Sequence, residues 1–248
     1  MSKIALVTGA SSGIGRATAI KLAESGYDLI ICGRREERLD ALSQQVGVKT
    51  HQLLFDVRDN AAVKEAIDGL PAEWTAIDVL VNNAGNAHGL GKIQEGNVDD
   101  WDAMIDINVK GLLYVTKAIV PGMVKRGKGH VVNIGSVAGK EVYPNGNVYC
   151  GSKHAVDAIN NGMRLDLMGT GVKVSQICPG LVETEFSLVR FKGDENKANA
   201  VYTGYEALKA EDIADVIQFV VTRPAHVNIA DTLIFPTAQV ASTMVDKK

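Results

Sequence analysis

Short apolar runs of strand length alternate with helical segments from the start of the chain almost to its end. The apolar runs lie at 3–8, 27–32, 49–55, 77–81, 130–135, 172–178 and 229–235. Between them lie segments of helical composition, among them 36–46, 98–126, 148–168 and 211–221. Such alternation favours parallel strands joined by right-handed helical crossovers. The pattern therefore predicts an α/β fold over 1–248, one domain with a doubly wound parallel sheet and helices on both faces.

The composition indicates a soluble globular protein. Hydrophobic residues make up 46% of the 248 residues and charged residues 22%, and the formal charge is −3. This charge gives no electrostatic reason to expect nucleic acid or an anionic membrane as a partner. The first apolar run is too brief for a signal peptide or a membrane span.

The cysteines and histidines indicate neither disulfides nor a metal. Cys32, Cys150 and Cys178 are isolated and odd in number, so we expect them to be buried and reduced, in a cytoplasmic protein. The five histidines show no metal-ligand spacing, so no metal site is expected.

A glycine-rich turn follows the first apolar run. The chain reads Gly9-Ala-Ser-Ser-Gly13-Ile-Gly15 and then continues into a helical segment. Glycines let a backbone approach a bulky anion closely, and a helix N-terminus offers free N–H groups and a positive dipole end. The turn therefore suits a pyrophosphate, although a glycine-rich turn can also be no more than a tight connection.

Two arginines follow the second apolar run. Dinucleotide-binding folds that prefer NAD often have an acid here for the ribose 2′-hydroxyl, whereas this chain has Arg34 and Arg35. Planar guanidinium groups suit a 2′-phosphate, which points to NADP. The alternative is a solvated pair matched by Glu36 and Glu37. Asp56, after the third run, can accept a hydrogen bond from adenine or simply cap the next helix.

The stretch 136–153 carries side chains suited to acid/base chemistry. Tyr149 and Lys153 are four residues apart, so they share one helix face, and Ser136 ends the fifth apolar run. A lysine charge beside a tyrosine favours the phenolate and is expected to lower its pKa towards neutral. Without further support, the interpretation of the pair as two surface residues that happen to be four apart is the favoured one. Asn108 is polar in an apolar context and needs outside support for any role.

Taken together, these motifs resemble those of the short-chain dehydrogenase/reductase family. The resemblance rests on Thr8-Gly9 with Gly13 and Gly15, on 82–85 (NNAG), and on Asn108, Ser136, Tyr149 and Lys153 in this order and spacing. Further stretches are similar to its NADP-dependent 3-hydroxy acid dehydrogenases, a group that includes serine and L-allo-threonine dehydrogenases and malonic semialdehyde reductase. These stretches are LPAEW (70–74), PGMV (121–124), NIGS (133–136), GNVY (146–149), TEFS…VRFKGD (184–194) and PAHVNI (224–229).

The resemblance implies a Rossmann-like fold and a role for each matching residue. Tyr149 would be the general acid/base, and Lys153 would lower its pKa and bind the nicotinamide ribose. Ser136 would hold the substrate oxygen, and Asn108 would support a proton-relaying water. The residues implied for NADP binding are Gly9, Ser11, Ser12, Gly13, Ile14, Gly15, Arg34, Arg35, Asp56, Val57, Asn83, Tyr149, Lys153, Pro179, Gly180 and Val182. Many NADP-dependent members have a basic residue where this chain has Ser12, so the NADP prediction depends on Arg34 and Arg35.

The polar segment 181–205 is unusually long for a loop in a compact domain and predicts a lid over the substrate. The carboxylate of a 3-hydroxy acid needs a cationic partner, and Arg190 and Lys192 in this segment are candidates. Alternatively, both are solvated charges.

Other functions stay open at this point. One is a broad-specificity carbonyl or 3-oxoacyl reductase with the same residues, and a less favoured one is a non-catalytic NADP-binding protein. The family resemblance also implies a homotetramer. Neither the physiological acid nor the direction of reaction follows from the sequence.

Overall fold

The central sheet is parallel throughout. The structure, a computed structural model, describes residues 2–248. Within them the strands are β1 (Lys3–Thr8), β2 (Tyr27–Gly33), β3 (Thr50–Leu54), β4 (Ile77–Asn82), β5 (Gly129–Ile134), β6 (Val172–Pro179), β7 (Val182–Glu183), β8 (Leu208–Lys209), β9 (Asp231–Ile234), β10 (Gln239–Ala241) and β11 (Met244–Val245). Seven of them form one sheet in the order β3-β2-β1-β4-β5-β6-β9, with every neighbouring pair parallel. The predicted α/β fold is confirmed.

Helices cover both faces of this sheet. Over the same residues they are α1 (Gly13–Glu24), α2 (Glu36–Gln45), α3 (Asn60–Asp68), α4 (Val98–Ile105), α5 (Leu112–Arg126), α6 (Asn147–Asp166), α7 (Phe186–Arg190), α8 (Glu195–Ala200) and α9 (Ala210–Val221). Because successive strand residues point to opposite faces, Ala5 and Val7 of β1 join an apolar cluster with α1, α2 and α9. Ile4 and Leu6 join a second cluster with α3 and α5 on the other face.

The strand order fixes the position of a crevice. The chain leaves β1 towards β2 and β3 on one side, and later strands extend from β4 in the opposite direction. Connections after β1 and β4 therefore diverge at the carboxyl edge of the sheet, where open α/β sheets bind their ligands.

The predicted helix 98–126 is interrupted. A π-helical turn, Asp106–Gly111, separates α4 from α5. Such a turn inserts an extra residue into the helical path and is frequent at functional sites. It carries Asn108 inward, where the side chain is only 2% exposed. The sequence prediction of one continuous helical region did not include this interruption.

The predicted lid is also more ordered than a loop. Segment 181–205 contains β7, α7 and α8, and β7 pairs with β8 in a small parallel sheet. The last residues of the chain, for which the sequence supported no prediction, pack beside this segment. The Gln239 side chain accepts a hydrogen bond from Leu181 N at 2.9 Å, and Lys248 N donates to Gly204 O at 2.9 Å.

All three cysteines are free and buried, as expected. Across residues 2–248 no helix combines the length and the apolar character needed to cross a membrane.

His130 in β5 is a buried titratable group away from the crevice. Its side chain is 3% exposed, and Nε2 lies 2.7 Å from the Ser175 hydroxyl. Burial, with a smaller contribution from the charge of Lys173, lowers the pKa of His130 to about 3. The unfolded chain binds a proton at this residue below about pH 6.5, so between these values it holds more protons than the folded chain. Folded stability must therefore fall as the pH falls through this range.

We expect His130→Gln to weaken this acid sensitivity. Over the window below pH 6.5, the His130 contribution is about 1.4 kcal/mol per pH unit, or about 2 kcal/mol between pH 6.5 and pH 5. Urea unfolding of both proteins across pH 5–8 measures it. Parallel stability curves for the two proteins would contradict the assignment.

Candidate active site

A cavity of about 500 Å³ runs along the carboxyl edge of the sheet, from the arginines after β2 to the lid. The sequence-predicted residues that line it are Gly9, Ser11, Ser12, Gly13, Ile14, Arg34, Arg35, Asp56, Val57, Asn83, Ser136, Tyr149, Lys153, Pro179, Gly180, Val182 and Arg190. Gly15, Asn108 and Lys192 are outside this lining. The fold thus brings together most of the predicted site.

The glycine turn is held against the end of β4. Asn83 Nδ2 donates to Thr8 O at 2.8 Å, and the Thr8 hydroxyl accepts from the backbone N–H groups of Asn83 and Ala84 at 3.0 Å. Gly9 has φ +66°, and a Cβ there would lie 2.9 Å from Asn83 Nδ2. A Cβ on Gly15 would collide with the Asn83 amide and with Gly9 O. Gly15 is therefore a packing residue of the turn, which explains its absence from the cavity wall.

The N-terminus of α1 points its backbone at the cavity. Ser12 is the N-cap residue, and its side chain makes no capping hydrogen bond. The first N–H groups of α1 thus lack the side-chain acceptor that usually satisfies them. Together with the helix dipole, they form an anion-binding surface that fits a pyrophosphate.

Arg35 is fixed against this turn. Its guanidinium Nη2 donates to the Ser11 hydroxyl at 2.9 Å and to the Ser12 hydroxyl at 2.7 Å. Although Ser12 replaces a basic residue, the positive charge of Arg35 reaches the same place. The structure thereby explains how the chain departs from the family pattern and still keeps a cation beside the turn.

The neighbouring charges include residues that the sequence did not single out. Arg58 donates to Asp56 at 2.6 Å, and Arg34 lies 3.4 Å from the same carboxylate. Hydrogen bonds from Arg58 are the main reason that the pKa of Asp56 is lowered to about 2. Arg38 and Arg35 both pair with Glu185, at 2.5 and 3.0 Å. This end of the cavity therefore has four guanidinium groups and two ionised carboxylates.

Tyr149 and Lys153 lie side by side on α6, and both are buried, at 8% and 7% exposure. Lys153 Nζ donates to Ile134 O at 2.9 Å, and burial lowers the pKa of Lys153 to about 8. Burial raises the pKa of Tyr149, and the charge of Arg190 and the Ser136 side chain act in the opposite direction. The expectation that the pKa of Tyr149 is lowered is thus not met in the structure, because burial raises it by more than the Arg190 charge and the Ser136 hydrogen bond lower it.

Asn108 is buried behind the cavity. Its Oδ1 accepts from Asn86 N at 2.9 Å, and its Nδ2 donates to Asn86 O at 2.9 Å and to the Ser152 hydroxyl at 3.0 Å. These bonds tie the loop after β4 to α6. A Cβ on Gly85 would lie 2.9 Å from Asn108 Oδ1 and 3.7 Å from Lys153 Nζ, so the two side chains meet at this glycine. The proton-relay role of Asn108 stays a prediction.

Arg190 reaches from the lid over Tyr149. Its guanidinium carbon is 4.9 Å from the centroid of the Tyr149 ring and 5.7 Å from the centroids of the Tyr143 and Phe186 rings. Nη2 donates to the Tyr143 hydroxyl at 2.5 Å. Nε is buried and has no hydrogen-bond partner among the described residues. A buried donor left without an acceptor is costly, so this group suits an anionic ligand.

Lys192 has a different environment. Its ammonium is 2.9 Å from the Asp100 carboxylate, and the lysine side chain is 58% exposed. Beside it, Gly89 N donates to Arg190 O at 2.8 Å. These two contacts fasten the far end of α7 to the protein body. Of the two predicted cations, only Arg190 reaches the cavity.

Tyr143, Phe186 and Glu185 were missed by sequence reasoning. Their contacts join segments far apart in the chain, and none falls in a periodic pattern. A weak indication for Tyr143 was its position only six residues before Tyr149. Over residues 2–248 there is no group of three His, Cys, Asp or Glu side chains that could hold a metal ion.

Known proteins resemble this chain over nearly its whole length. The family model described as short chain dehydrogenase matches residues 3–195. NADP-dependent 3-hydroxy acid dehydrogenase YdfG of Salmonella typhi is 49% identical over 95% of this chain and 96% of its own. Sulfoacetaldehyde reductase 2 of Chromohalobacter salexigens is 46% identical over 96% of each.

Solved structures agree with this similarity. The closed form of serine dehydrogenase complexed with NADP⁺ superimposes with a TM-score of 0.93 and 46% identity, covering 99% of each chain. Serine dehydrogenase from Escherichia coli gives a TM-score of 0.84 and 41% identity, covering 96% of this chain and 99% of that one.

The close packing of Gly15 against Asn83 can be tested by substitution. We expect Gly15→Ala to reduce stability by about 1–3 kcal/mol, because its methyl group has no space beside Asn83. Gly162→Ala is the matched control. Gly162 lies in α6 with nothing within 4 Å of an added Cβ, so alanine should stabilise there by about 0.4–1 kcal/mol. Thermal unfolding of both variants measures the difference. Equal shifts in Tm would count against a packed turn.

Proposed function

This chain belongs to the short-chain dehydrogenase family, and on that premise we propose that it is an NADP-dependent oxidoreductase acting on small 3-hydroxy acids. The substrates are of the serine, L-allo-threonine and 3-hydroxypropionate (or malonic semialdehyde) type. The observation that carries the proposal is Arg190, which lines the same cavity as Tyr149 and has a buried Nε without a hydrogen-bond partner among the described residues. Relatives named for NADP and for 3-hydroxy acids support it.

The residues at the carboxyl edge fit NADP. The glycine turn and the uncapped N-terminus of α1 would hold the pyrophosphate, with Ile14 and Val182 among the lining residues. Arg34 and Arg35 would hold the 2′-phosphate, and Asp56 and Val57 would border the adenine. Asn83 would approach the adjoining ribose, and Pro179 and Gly180 the nicotinamide. These residues would hold the cofactor, which when bound would supply the hydride acceptor for an alcohol as NADP⁺ or the hydride donor for an aldehyde or ketone as NADPH.

The proton chemistry belongs to Tyr149 and its neighbours. In oxidation the Tyr149 phenolate takes the proton of the substrate hydroxyl, and in reduction the phenol returns it. The Ser136 hydroxyl holds the same substrate oxygen by a hydrogen bond. In this proposal the charge of Lys153 favours the phenolate against the burial that raises the Tyr149 pKa, and Lys153 binds the nicotinamide ribose. Asn108, fixed between Asn86 and Ser152, supports the water that relays the proton.

Arg190 binds the substrate carboxylate. The guanidinium lies close to three aromatic rings and Nη2 donates to Tyr143, so Nη1 is the nitrogen left for the carboxylate. Lys192 is not assigned this role, because Asp100 already pairs with it.

Two alternatives keep the same fold. A broad-specificity carbonyl or 3-oxoacyl reductase would prefer neutral or carrier-linked ketones to free acids. A non-catalytic NADP-binding protein would bind cofactor without turnover, and the presence of Ser136, Tyr149 and Lys153 together in the cavity weighs against it. The relative named sulfoacetaldehyde reductase makes sulfoacetaldehyde a further acidic aldehyde to include in assays.

We further propose that 1–248 acts as one catalytic domain, in a cytoplasmic homotetramer. Exposed apolar side chains support burial against other copies of the chain. Leu165 and Met168, at the end of α6, are 76% and 83% exposed, and Phe219 on α9 is 48% exposed. A monomer in analytical ultracentrifugation at micromolar concentration would contradict this assembly.

The central test is turnover. We expect L-serine, L-allo-threonine or 3-hydroxypropionate to reduce NADP⁺ much faster than NAD⁺. Tyr149→Phe should lower kcat by at least about 100-fold, because general acid/base groups contribute about that much, and should leave NADP⁺ affinity within a few-fold. Absorbance at 340 nm measures turnover, and calorimetry measures affinity. NADP⁺ binding with no turnover of any acid or ketone would favour the non-catalytic alternative.

Arg190 and Lys192 form a matched pair for the substrate site. Arg190→Ala should raise KM for the hydroxy acids by about 10- to 100-fold, as expected for losing a charge-assisted hydrogen bond, and should spare small neutral ketones. Lys192→Ala should change neither by more than about twofold, since its exposed ion pair contributes little. Steady-state kinetics of both variants with hydroxy acids and with neutral ketones measure these changes. Equal losses on acids and ketones in Arg190→Ala would exclude a carboxylate-specific role.

A further inference from the structure

We infer that Glu185 connects the two ends of the site by holding the lid helix α7 on the arginines that receive the cofactor 2′-phosphate. This makes Glu185 a positioning residue for Arg190 and a carboxylate that competes with the cofactor 2′-phosphate for Arg35. The inference rests on the proposed function, since it presupposes that NADP and a hydroxy acid occupy the cavity.

The contacts on the cofactor side are direct. Glu185 Oε2 accepts from Arg35 Nη1 at 3.0 Å, and Glu185 Oε1 accepts from Arg38 Nη1 at 2.5 Å. One carboxylate thus bridges two guanidinium groups. Arg35 has further anchors in the hydroxyls of Ser11 and Ser12, so its position does not depend on Glu185 alone.

On the substrate side, Glu185 immediately precedes α7. The helix comprises five residues, beginning with Phe186 and ending with Arg190. Five residues of helix span about 7.5 Å, so a shift at Glu185 is transmitted within less than two turns to Arg190. The Phe186 ring lies 5.7 Å from the Tyr149 ring, which places the start of the helix over the candidate catalytic tyrosine.

The far end of α7 is attached separately. Arg190 O accepts from Gly89 N, and Lys192 pairs with Asp100. Glu185 is the side chain that attaches the near end to the arginines, so removing its charge loosens that end, while the Ser187 hydroxyl stays hydrogen-bonded to the Tyr202 hydroxyl at 2.7 Å and the far end stays in place. The lid should then become more mobile without coming away.

The expected direction of the change in NADP⁺ affinity, when Glu185 is replaced, follows from charge. A 2′-phosphate beside Arg35 must share that guanidinium with the Glu185 carboxylate, and two anions close together repel each other. Replacing Glu185 with an uncharged isostere removes this repulsion, while Ser11 and Ser12 keep Arg35 in place. NADP⁺ should therefore bind more tightly, whereas the carboxylate of the hydroxy acid, which depends on the position of Arg190, should bind less well. A residue that only stabilised the fold would weaken both.

The experiment compares Glu185→Gln with Glu183→Gln. Glu183 is an exposed carboxylate two residues away in β7, and its side chain forms no ion pair among the described residues. Both variants lose the same charge from the same segment. Three measurements apply to each: hydrogen exchange of amides 186–200 in the cofactor-free enzyme, calorimetric Kd for NADP⁺ and NAD⁺, and KM for the hydroxy acid.

In Glu185→Gln we expect faster exchange across 186–200 and a two- to fivefold tighter NADP⁺ Kd, the size expected for half-exposed ion pairs. The NAD⁺ Kd should stay within about twofold, and the acid KM should rise at least about threefold. Glu183→Gln should match the wild type in all of these. Exchange like that of the control, or weaker NADP⁺ binding, would overturn the inference.

Failure of the proposed function gives a different result. In that case the wild type itself would not oxidise any hydroxy acid with NADP⁺. The exchange and affinity measurements need no turnover, so they decide the role of Glu185 independently.

Discussion

The organisation of the site depends on the hydrogen bonds between the end of β1 and the end of β4. Asn83 donates to the carbonyls of Thr8 and Gly9, and the Thr8 hydroxyl accepts from the backbone after β4. From these two neighbouring strands the sheet is extended in opposite directions, by β2 and β3 beside β1 and by β5, β6 and β9 beside β4. The bonds hold the glycine turn against the sheet at the point where the crevice opens, and every other group is positioned relative to that turn.

The two ends of the cavity use charge differently. At the cofactor end, guanidinium groups and carboxylates are half-exposed and paired, so water moderates their interactions. At the substrate end, Arg190 is packed among aromatic rings with an unsatisfied N–H group. One end is suited to holding a highly charged group of fixed shape. The other is suited to a small anion, because a partly buried cation gains more from an anionic acceptor than from a neutral ligand.

The sequence predicted the architecture and most of the cavity wall, since both follow from local patterns. Strand and helix periodicity established the sheet, and the glycines and Arg35 followed from what a phosphate requires. The π-helical turn at Asn108 was not predictable, because weak helix formers such as Asn and Gly occur within ordinary helices too and do not indicate the extra residue of a π-helical turn. The direction of the Tyr149 pKa was predicted wrongly, because spacing along a helix reports proximity but not desolvation. Glu185 and Arg35 are 150 residues apart, so their contact exists only in the folded chain.

The lid separates the atoms that fix its position from the atoms that face the substrate. At residue 190 the backbone carbonyl holds the segment to Gly89, whereas the side chain enters the cavity. Exchanging that side chain removes its hydrogen bond to Tyr143 but leaves this main-chain attachment in place. Under the proposed role of Arg190, a substitution at this position changes the kind of molecule that the cavity accepts while the main-chain hydrogen bond that holds the lid stays the same.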